Sequence, residues 1–502
     1  MSVRLFPPLS PVLRKRHSTA MKSIRKNYFY NLFYQILVLV VPLVTTPYVS
    51  RVLGAERIGE YSYAYSIVYY FTLLAVLGTA TYAEREISFY QDDRAKRSSR
   101  FWDLFTLRCI TSAACIVLYG LLVFLTLRDS TIAVIVSLNI LSVALDTVWV
   151  FQGMEEFGKI SLRNTVVKLL TVGSIFLFVK SPDDINMYTL IMSLSPVVGA
   201  VTLLPFLPSY IDKPVRKNIH PFKDIKNVIK LFIPTVAISI YTVLDVTMLG
   251  LFTTTKVENG YYEQAMKLSK TTLTIVTSLG TVMIPRISYF FEKGEKEKIK
   301  EYMYRSYRFV LMIGIPICLG LIGIADNLVP WFYGDGYGKV SALLKVSSLL
   351  VIIIGLSNIT GMQYLVPTLQ QDRLTQSVVI GALVNFVCNS IMIPRWYSVG
   401  AMIASVIAET VVTSVQFYYV RKDLSVRKIL LMAPRYLVAA ALMLVLLYFE
   451  GLYLSSSIIS TFIMILSGAV LYFVVLILMR DEFVLETLKR VLGRMKSIIG
   501  RR

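Results

Sequence analysis

Three charged residues share one side of a predicted helix inside an otherwise apolar stretch. Glu263, Lys267 and Lys270 follow one another at intervals of four and three residues, and this spacing places side chains on one helical face. Two lysines on such a face could bind a phosphate, because each ammonium group is a compact and mobile positive charge. An ion pair between Glu263 and Lys267 is the simpler alternative. We expect Lys267 and Lys270 to contact an anionic substrate.

Other ionisable residues also lie in apolar stretches, where each costs roughly 2.5–3.5 kcal/mol on membrane-insertion scales. They are Asp146, Lys168, Asp245, Lys345 and Glu409. We predict that Asp245, Glu409 and Asp146 are candidates for binding a coupling proton or cation, although an interhelical ion pair explains Glu409 equally well. Lys168 and Lys345 lie within a few helical turns of a membrane surface, so their long side chains can reach it. Lys168 is nevertheless a candidate substrate contact.

A pair of arginines occupies matching positions in two parts of the chain. Arg85 and Arg286 are 201 residues apart, and each follows a Leu-Gly-Thr sequence, at residues 77–79 and 279–281. Guanidinium groups bind phosphates through two parallel hydrogen bonds, so both arginines are candidates for binding a phosphate group at the cytoplasmic side. The alternative is that each only anchors its helix at the cytoplasmic interface.

No pattern in the sequence indicates a metal site, a cofactor or enzymatic catalysis. The four cysteines have no Cys-x-x-Cys spacing, and the two histidines have no neighbouring ligand residues. A P-loop, a dinucleotide-binding glycine motif and a Gly-x-Ser-x-Gly sequence are also missing. We therefore expect a protein that is not an enzyme and that needs no cofactor.

The elements that carry the charged residues are predicted to be transmembrane helices. The 502-residue chain is 55% hydrophobic and 17% charged, with a mean hydropathy of +0.63, whereas soluble domains have about 25% charged residues. Runs of about 20 apolar residues can cross the ~30 Å hydrocarbon core of a bilayer as helices. Fourteen such runs are predicted, at residues 28–50, 61–81, 104–127, 131–151, 161–180, 187–207, 229–252, 262–285, 307–330, 341–366, 375–394, 398–419, 430–449 and 455–479. The fold class is therefore an all-α integral membrane protein.

The basic residues behind the net charge of +21 are distributed according to the predicted membrane topology. Most Lys and Arg lie in segments that are cytoplasmic when the N-terminus is inside, such as residues 92–100, 213–226 and 292–300. This positive-inside bias places both termini in the cytoplasm. The basic charge is thus a topology signal with a weaker attraction to anionic lipid headgroups, and we expect no nucleic-acid partner.

A repeat divides the chain into two halves. One set of residues returns at a constant offset of 201, as Gly59, Tyr61 and Ala64 and again as Gly260, Tyr262 and Ala265. Runs one and seven are separated by six crossings, so both cross in the same direction. The sequence therefore predicts two parallel six-helix bundles related by a pseudo-twofold axis along the membrane normal, followed by two further helices. The alternative is that Gly-x-Tyr marks unrelated interfacial turns, where tyrosine is common.

The predicted domains follow from the runs and the repeat. A basic tail, for which we expect disorder, precedes the first bundle, and Met21 is an alternative start of translation. The boundaries are residues 1–26 for the cytoplasmic N-terminal tail, 27–210 for the first bundle, 211–228 for a cytoplasmic linker, 229–420 for the second bundle, 421–480 for the two extra helices and 481–502 for a basic cytoplasmic C-terminal tail.

Several long stretches resemble polysaccharide flippases. They are LDTVWVFQGMEEFGKISLRNTVVKLL (145–170), NYFYNLFYQILVLVVPLVTTPYVSRVLGAERIGEYSYAYS (27–66), IPTVAISIYTVLDVTMLG (233–250) and GYYEQAMKLSKTTLTIVTSLGTVMIPRIS (260–288). They are similar to Wzx-type exporters of O-antigen and capsule repeat units, in the multidrug/oligosaccharidyl-lipid/polysaccharide superfamily. The likeness extends over about residues 22–480.

The resemblance implies a transporter with fourteen helices in two bundles around a central cavity. Such a protein is expected to move undecaprenyl-diphosphate-linked oligosaccharide from the inner to the outer leaflet of the bacterial cytoplasmic membrane by alternating access. Arg85 and Arg286 are then candidates for capturing the lipid diphosphate at the cytoplasmic mouth of the transport path. The product would be O-antigen, capsule or exopolysaccharide. Expected partners are this lipid-linked oligosaccharide, membrane lipids, a coupling proton or sodium ion, and the polysaccharide polymerase machinery.

A cation-coupled multidrug exporter of the same superfamily is the alternative function. An exporter of organic cations would be expected to have an acidic cavity, whereas Lys267 and Lys270 add positive charge. A sugar polymerase would be expected to have catalytic residues in a large outer loop, and every predicted outer loop is short. These patterns favour the flippase.

Overall fold

The computed structural model describes residues 11–126, 130–214, 219–278, 280–486 and 488–489. Its α-helices, in chain order, are α1 (Pro11–Val76), α2 (Thr79–Phe89), α3 (Arg94–Thr126), α4 (Thr131–Val136), α5 (Leu138–Leu145), α6 (Val148–Gly153), α7 (Phe157–Phe178), α8 (Ile185–Val201), α9 (Ile225–Phe252), α10 (Val257–Thr277), α11 (Gly280–Glu292), α12 (Lys296–Tyr333), α13 (Gly338–Ser347), α14 (Leu349–Asn358), α15 (Gln371–Val420), α16 (Val426–Leu430), α17 (Ala433–Tyr453) and α18 (Ile458–Leu478). Short 3-10 helices at Pro182–Asp184 and Leu204–Ser209 flank α8, and a π-helix at Ile359–Leu365 follows α14.

These helices confirm the predicted all-α membrane class. No β-strand occurs in the part of the chain that the structure describes, and ten helical segments there are long and apolar enough to cross a membrane. Every predicted run coincides with one helix or with a series of short consecutive helices. The number of fourteen crossings and their arrangement in two parallel bundles remain predictions.

Two of the long helical segments are broken inside the apolar sequence. A single crossing needs about 20 residues, but Phe33–Phe89 has 57 residues and Gln371–Val420 has 50. The first is interrupted at Gly54 (φ 76°, ψ 169°) and the second at Tyr397 (φ 52°, ψ −127°). Glycine adopts a positive φ easily, whereas a tyrosine there is strained. The break at Tyr397 separates predicted runs eleven and twelve.

The N-terminal tail is partly helical. α1 begins at Pro11, inside the segment 1–26 for which the sequence predicts disorder. Residues 1–10 and most of the C-terminal tail lie outside the described residues. The use of Met21 as the start of translation therefore remains a prediction.

The chain forms two compact units. Unit 1 contains residues 1–52 and 67–236, and unit 2 contains residues 53–66 and 237–502. Residues 53–66 thus join unit 2 although they precede most of unit 1 in sequence. The predicted bundle boundaries differ from this division and remain a prediction.

Unit 1 has an aromatic core where α2, α3 and α6 meet. The rings of Phe101 and Trp149 stack with centroids 5.2 Å apart, and both side chains are buried. Gly153 at the end of α6 permits a close approach to α2, because a Cβ there would lie 2.8 Å from the side chain of Ile87. This packing fixes α6, which begins directly after the break that contains Asp146.

Unit 2 contains a close crossing between α1 and α10. A Cβ on Gly59 would overlap the carbonyl oxygen of Lys256, and a Cβ on Gly260 would overlap the carbonyl oxygen of Ala55. The offset of 201 residues relates Ala55 to Lys256 and Gly59 to Gly260. Each contact is therefore the counterpart of the other in the repeat. Reciprocal contacts of this kind are expected about a twofold axis. The crossing therefore supports the predicted repeat.

Candidate functional site

Unit 1 contains a cavity of about 370 Å3 between α1, α3, α5, α7 and α8. Three positively charged side chains line it, from Arg108, Arg163 and Lys168, together with the carboxylate of Asp146 and the amide of Asn164. Three cationic groups against one carboxylate leave an excess of positive charge. We refer to this site as the cationic cavity.

The side chain of Arg108 is held by Asp146. Arg108 lies on α3 and is only 2% exposed. Its Nη1 donates to the main-chain oxygen of Asp146 at 2.9 Å and lies 3.3 Å from Asp146 Oδ2. Its Nε is buried and has no hydrogen-bond partner among the described residues. The guanidinium group therefore retains a donor that the protein does not use.

Asp146 is positioned by the break between α5 and α6. Its backbone is extended (φ −70°, ψ 119°), which ends α5. Its Oδ1 accepts a hydrogen bond from the backbone N–H of Val148 at 3.1 Å, and its main-chain oxygen accepts one from Trp149 Nε1 at 3.0 Å. Aspartate side chains commonly accept such a bond from the backbone N–H two residues further along the chain. The carboxylate is therefore anchored independently of Arg108.

The other two cations come from α7. Arg163 Nη1 donates to the main-chain oxygen of Gly199 on α8 at 2.7 Å. A Cβ on Gly199 would lie 3.1 Å from this nitrogen, so glycine leaves room for the guanidinium group. Lys168 is half-buried on the same cavity, and no carboxylate of the described residues forms an ion pair with it. The amine of Lys168 therefore remains available to a ligand.

This arrangement is suited to binding an anion with more than one charge. Electrostatic attraction is stronger in a narrow cavity than in bulk water, because the effective dielectric constant is lower. Arginine can offer two parallel N–H groups to a phosphate, and lysine adds a mobile charge. A small organic cation, in contrast, would be repelled by the charge excess.

A second polar site surrounds Asp245 in unit 2. Asp245 lies on α9 and is 7% exposed. Its Oδ2 accepts hydrogen bonds of 2.5 Å from Tyr262 and from Ser405. Its Oδ1 accepts bonds of 2.9 Å from Asn385 and 2.6 Å from Asn389. Four uncharged side chains thus hold one buried carboxylate.

The helices around Asp245 explain how these donors converge. Asn385 and Asn389 are four residues apart on α15, so they share a helical face, whereas Ser405 lies on the same helix beyond the break at Tyr397. No Lys or Arg of the described residues forms an ion pair with Asp245. A buried carboxylate without a cationic partner offers oxygen ligands that suit a small cation.

The predicted lysine face lies on α10. This helix contains Glu263, Lys267 and Lys270, so their spacing places them on one helical face as expected. Glu263 Oε2 is 3.5 Å from the hydroxyl of Ser62. Lys267 is half-buried and Lys270 is exposed. Substrate contact by the two lysines remains a prediction.

The two matching arginines belong to different units. Arg85 on α2 lines a second cavity of unit 1, of about 810 Å3, with Glu84 and Glu155. Arg286 on α11 is exposed, and its guanidinium lies 5.7 Å from the ring centroid of Tyr302. Capture of a diphosphate by Arg85 and Arg286 remains a prediction.

The remaining predicted residues lie outside the cationic cavity. Lys345 forms an ion pair with Asp326 at 2.6 Å, which accounts for its charge without a ligand. Glu409 is half-buried on α15, and its role in coupling remains a prediction. Of the eight predicted site residues, the structure brings Asp146 and Lys168 together in one cavity.

Arg108 and Arg163 are the cavity residues that sequence reasoning missed. Both lie near the ends of predicted runs, where an arginine is easily attributed to the membrane interface. Arg163 follows Asp146 by 17 residues, so the sequence gives no helical spacing between them. The signal that could have revealed them is the number of charged residues in runs three to five, which contain Arg108, Asp146, Arg163, Lys168 and Lys180.

Comparison with known families and sequences indicates polysaccharide export. Residues 24–291, more than half of the chain, match the family described as "Polysaccharide biosynthesis protein". The chain is 23% identical over 407 residues to the "Putative O-antigen transporter" of Escherichia coli (strain K12), covering 80% of this chain and 97% of that protein. It is 25% identical over 289 residues to the "Probable low-salt glycan biosynthesis flippase Agl15" of Haloferax volcanii, covering 55% and 58%.

A solved structure has the same fold. The chain superposes on "Lipid II flippase MurJ, inward closed conformation" with a TM-score of 0.73 and 17% identity, covering 91% of this chain and 99% of that one. The relatives named above are transporters and flippases, which agrees with the prediction of a protein that is not an enzyme.

Proposed function

Because this chain belongs to the polysaccharide biosynthesis protein family, we propose that it is a flippase for lipid-linked oligosaccharides. Its substrate is an undecaprenyl-diphosphate-linked repeat unit, which it moves from the inner to the outer leaflet of the bacterial cytoplasmic membrane for O-antigen, capsule or exopolysaccharide synthesis. The transport path opens alternately to the two sides of the membrane.

The observation that carries this proposal is the charge of the cationic cavity. A diphosphate that links a lipid to a sugar has about two negative charges, and these are common to all repeat units. Arg108, Arg163 and Lys168 supply three positive charges against the single carboxylate of Asp146. A flippase needs such a site for the headgroup, whereas an exporter of organic cations would be hindered by it. Lys267, Lys270, Arg85 and Arg286 are further proposed contacts along the path.

Asp245 is the proposed site for the coupling ion. Its carboxylate is buried among Tyr262, Ser405 and two asparagines, without a cationic side chain to neutralise it. Binding of a proton or a sodium ion there would change the charge of a buried group, and the free energy of the ion gradient could in this way return the transporter to its inward-open state. Glu409 and Asp146 were predicted for the same role, and Asp245 has the more suitable surroundings.

A deletion strain tests the proposed function. In a bacterium that lacks its own O-antigen flippase, expression of this chain should restore surface polysaccharide and remove lipid-linked repeat units that accumulate on the inner leaflet. Lys168→Ala should lower export by about ten-fold or more, since a hydrogen bond to a charged group contributes roughly 1.5–3 kcal/mol.

Lys345→Ala is the matched control. It removes the same side chain from an ion pair with Asp326 in unit 2, and export should stay at the level of the unsubstituted protein when both variants reach the membrane in equal amounts. Full export by a variant with both Arg163→Ala and Lys168→Ala would refute the role of the cationic cavity. Efflux of small organic cations without any export of repeat units would favour the multidrug exporter.

A further inference from the structure

We propose that Asp146 is a built-in counter-ion of the cationic cavity, which occupies Arg108 until a diphosphate takes its place. This inference rests on the proposed function, because it concerns the way in which the same cavity binds and releases its substrate. It also gives Asp146 a role different from ion coupling, which is the role that its position in an apolar run predicts.

The contact between Arg108 and Asp146 is weaker than a full ion pair. Charge-assisted N–H···O bonds are usually 2.7–2.9 Å long, but Arg108 Nη1 is 3.3 Å from the carboxylate oxygen. The same nitrogen makes its shorter bond, of 2.9 Å, with the main-chain oxygen of Asp146. Only one nitrogen of the guanidinium is used, and Nε is buried without a partner among the described residues. A phosphate that accepts from two nitrogens would therefore satisfy Arg108 better than Asp146 does.

Separation of the ion pair would be more unfavourable for Arg108 than for Asp146. The side chain of Arg108 is 3% exposed, whereas that of Asp146 is 32% exposed. Asp146 therefore remains hydrated and keeps its hydrogen bond from the N–H of Val148. Arg108 would become an unpaired buried charge, which is strongly unfavourable. Departure of Asp146 is thus favourable only when another anion reaches Arg108.

The surroundings of Asp146 support exchange of anions rather than ion uptake. The charged groups that line the cavity with it, Arg108, Arg163 and Lys168, are all cationic, so together they attract an anion rather than a cation. Asp245 has uncharged donors instead. Asp146 would keep the empty cavity closer to neutrality and would compete with the bound diphosphate. This competition weakens binding enough for the substrate to be released on the outer side.

Binding of inorganic pyrophosphate to the full-length protein in lipid nanodiscs tests the inference. Asp146→Asn keeps the volume of the side chain and an oxygen for the N–H of Val148, but it removes the competing charge. The dissociation constant for pyrophosphate should therefore fall by about two- to five-fold, the effect of losing one partly exposed ion pair. Export by the same variant should be slower, because release is slower.

A second variant and a double substitution keep the test independent of folding. Asp146→Ser also retains a capping oxygen and should lower the dissociation constant as well. The gain should disappear when Arg108→Gln is present, because the competition is for Arg108. Asp326→Asn, which removes a carboxylate paired with Lys345 in unit 2, should leave pyrophosphate binding unchanged.

The possible results separate this inference from the proposed function. Weaker pyrophosphate binding by Asp146→Asn and Asp146→Ser would overturn the inference and show that Asp146 orients Arg108. Unchanged binding with a lost dependence on the ion gradient would also overturn it, in favour of coupling. Failure of the folded, unsubstituted protein to bind pyrophosphate would instead refute the proposed use of the cavity.

A competition experiment with lipids distinguishes two possible sources of the bound phosphate group. Undecaprenyl diphosphate in the nanodisc should compete with pyrophosphate, and phosphatidylglycerol at the same mole fraction should not. Equal competition by phosphatidylglycerol would overturn the assignment of the exchange to a diphosphate.

Discussion

Two aspartates in apolar helical segments have opposite surroundings. Asp146 contacts a guanidinium group and shares a cavity with two further cations, whereas Asp245 is held by four uncharged donors. The cations around Asp146 attract an anion to the same cavity, whereas no Lys or Arg of the described residues forms an ion pair with Asp245. We therefore expect Asp146 to act on the anionic substrate and Asp245 to act on a coupling ion.

The role of Asp245 can be separated from substrate binding by one substitution. Asp245→Asn keeps the size of the side chain but abolishes its charge, so the site no longer attracts a cation. Export should fall by about five-fold or more, the lower end of typical coupling between two sites, while the dissociation constant for pyrophosphate stays unchanged. Export assays in the deletion strain and pyrophosphate binding to purified protein measure the two quantities.

The control for this experiment is Asp326→Asn. It removes a carboxylate of the same size whose partner, Lys345, is partly exposed, and it should alter neither quantity. Normal export by Asp245→Asn, with normal dependence on the ion gradient, would exclude Asp245 as the coupling site.

At the scale of the helices, hydropathy predicted most of what the structure contains. Each of the fourteen runs coincides with helical structure because an uninterrupted apolar sequence must satisfy its backbone hydrogen bonds internally in lipid. The breaks were not predicted. Tyr397 lies in a non-helical conformation within α15, and nothing in its residue type favours a positive φ. Such a break is determined by tertiary contacts, among them the bond from Ser398 N–H to the Glu258 carboxylate at 3.1 Å.

The same limit applies to the cationic cavity. The sequence shows that Asp146 and Lys168 are charged residues in apolar surroundings, but their partner Arg108 comes from another helix, α3. The depth of a residue in the membrane can be estimated from its position in a predicted apolar run. Contacts between residues of different helices cannot be estimated in this way. The lysine face on α10 could be predicted from the sequence because its residues belong to one helix.

The close crossing of α1 and α10 predicts that a larger residue at either of its glycines destabilises the protein. Gly260→Ala adds a Cβ that would overlap the carbonyl oxygen of Ala55, and a backbone atom cannot rotate away as a side chain can. The helices must separate, so the substitution should lower the free energy of unfolding by about 1–3 kcal/mol. Thermal unfolding of the purified protein measures this loss. Gly59→Ala should have a similar effect because its contact is reciprocal.

Gly120→Ala is the control for these two variants. Gly120 lies on α3, and a Cβ there would have no atom within 4 Å. Alanine favours the helical conformation more than glycine does, so this variant should be as stable as the unsubstituted protein or slightly more stable. Equal stability of Gly260→Ala and Gly120→Ala would mean that the glycine crossing does not limit helix packing.

At the scale of the whole molecule, the repeat and the charge distribution together predict the membrane topology. The reciprocal contacts of Gly59 and Gly260 relate two stretches at an offset of 201 residues. The basic segments at 92–100 and 292–300 recur at nearly the same offset. If both halves are parallel, positions related by the repeat must lie on the same side of the membrane. An inverted repeat would place them on opposite sides.

Labelling of single cysteines can test this parallel arrangement. Glu56 and Thr254 are exposed near the matching ends of the two halves, and Asp92 and Lys293 are an exposed pair at the offset of 201. In a variant without the four native cysteines, Glu56→Cys and Thr254→Cys should react with a membrane-impermeant maleimide in right-side-out vesicles. Asp92→Cys and Lys293→Cys should react only in inside-out vesicles, because basic segments stay in the cytoplasm. Reaction of Thr254→Cys and Lys293→Cys from the same side would mean that α10 and α11 do not cross the membrane together, and the two halves could not be parallel.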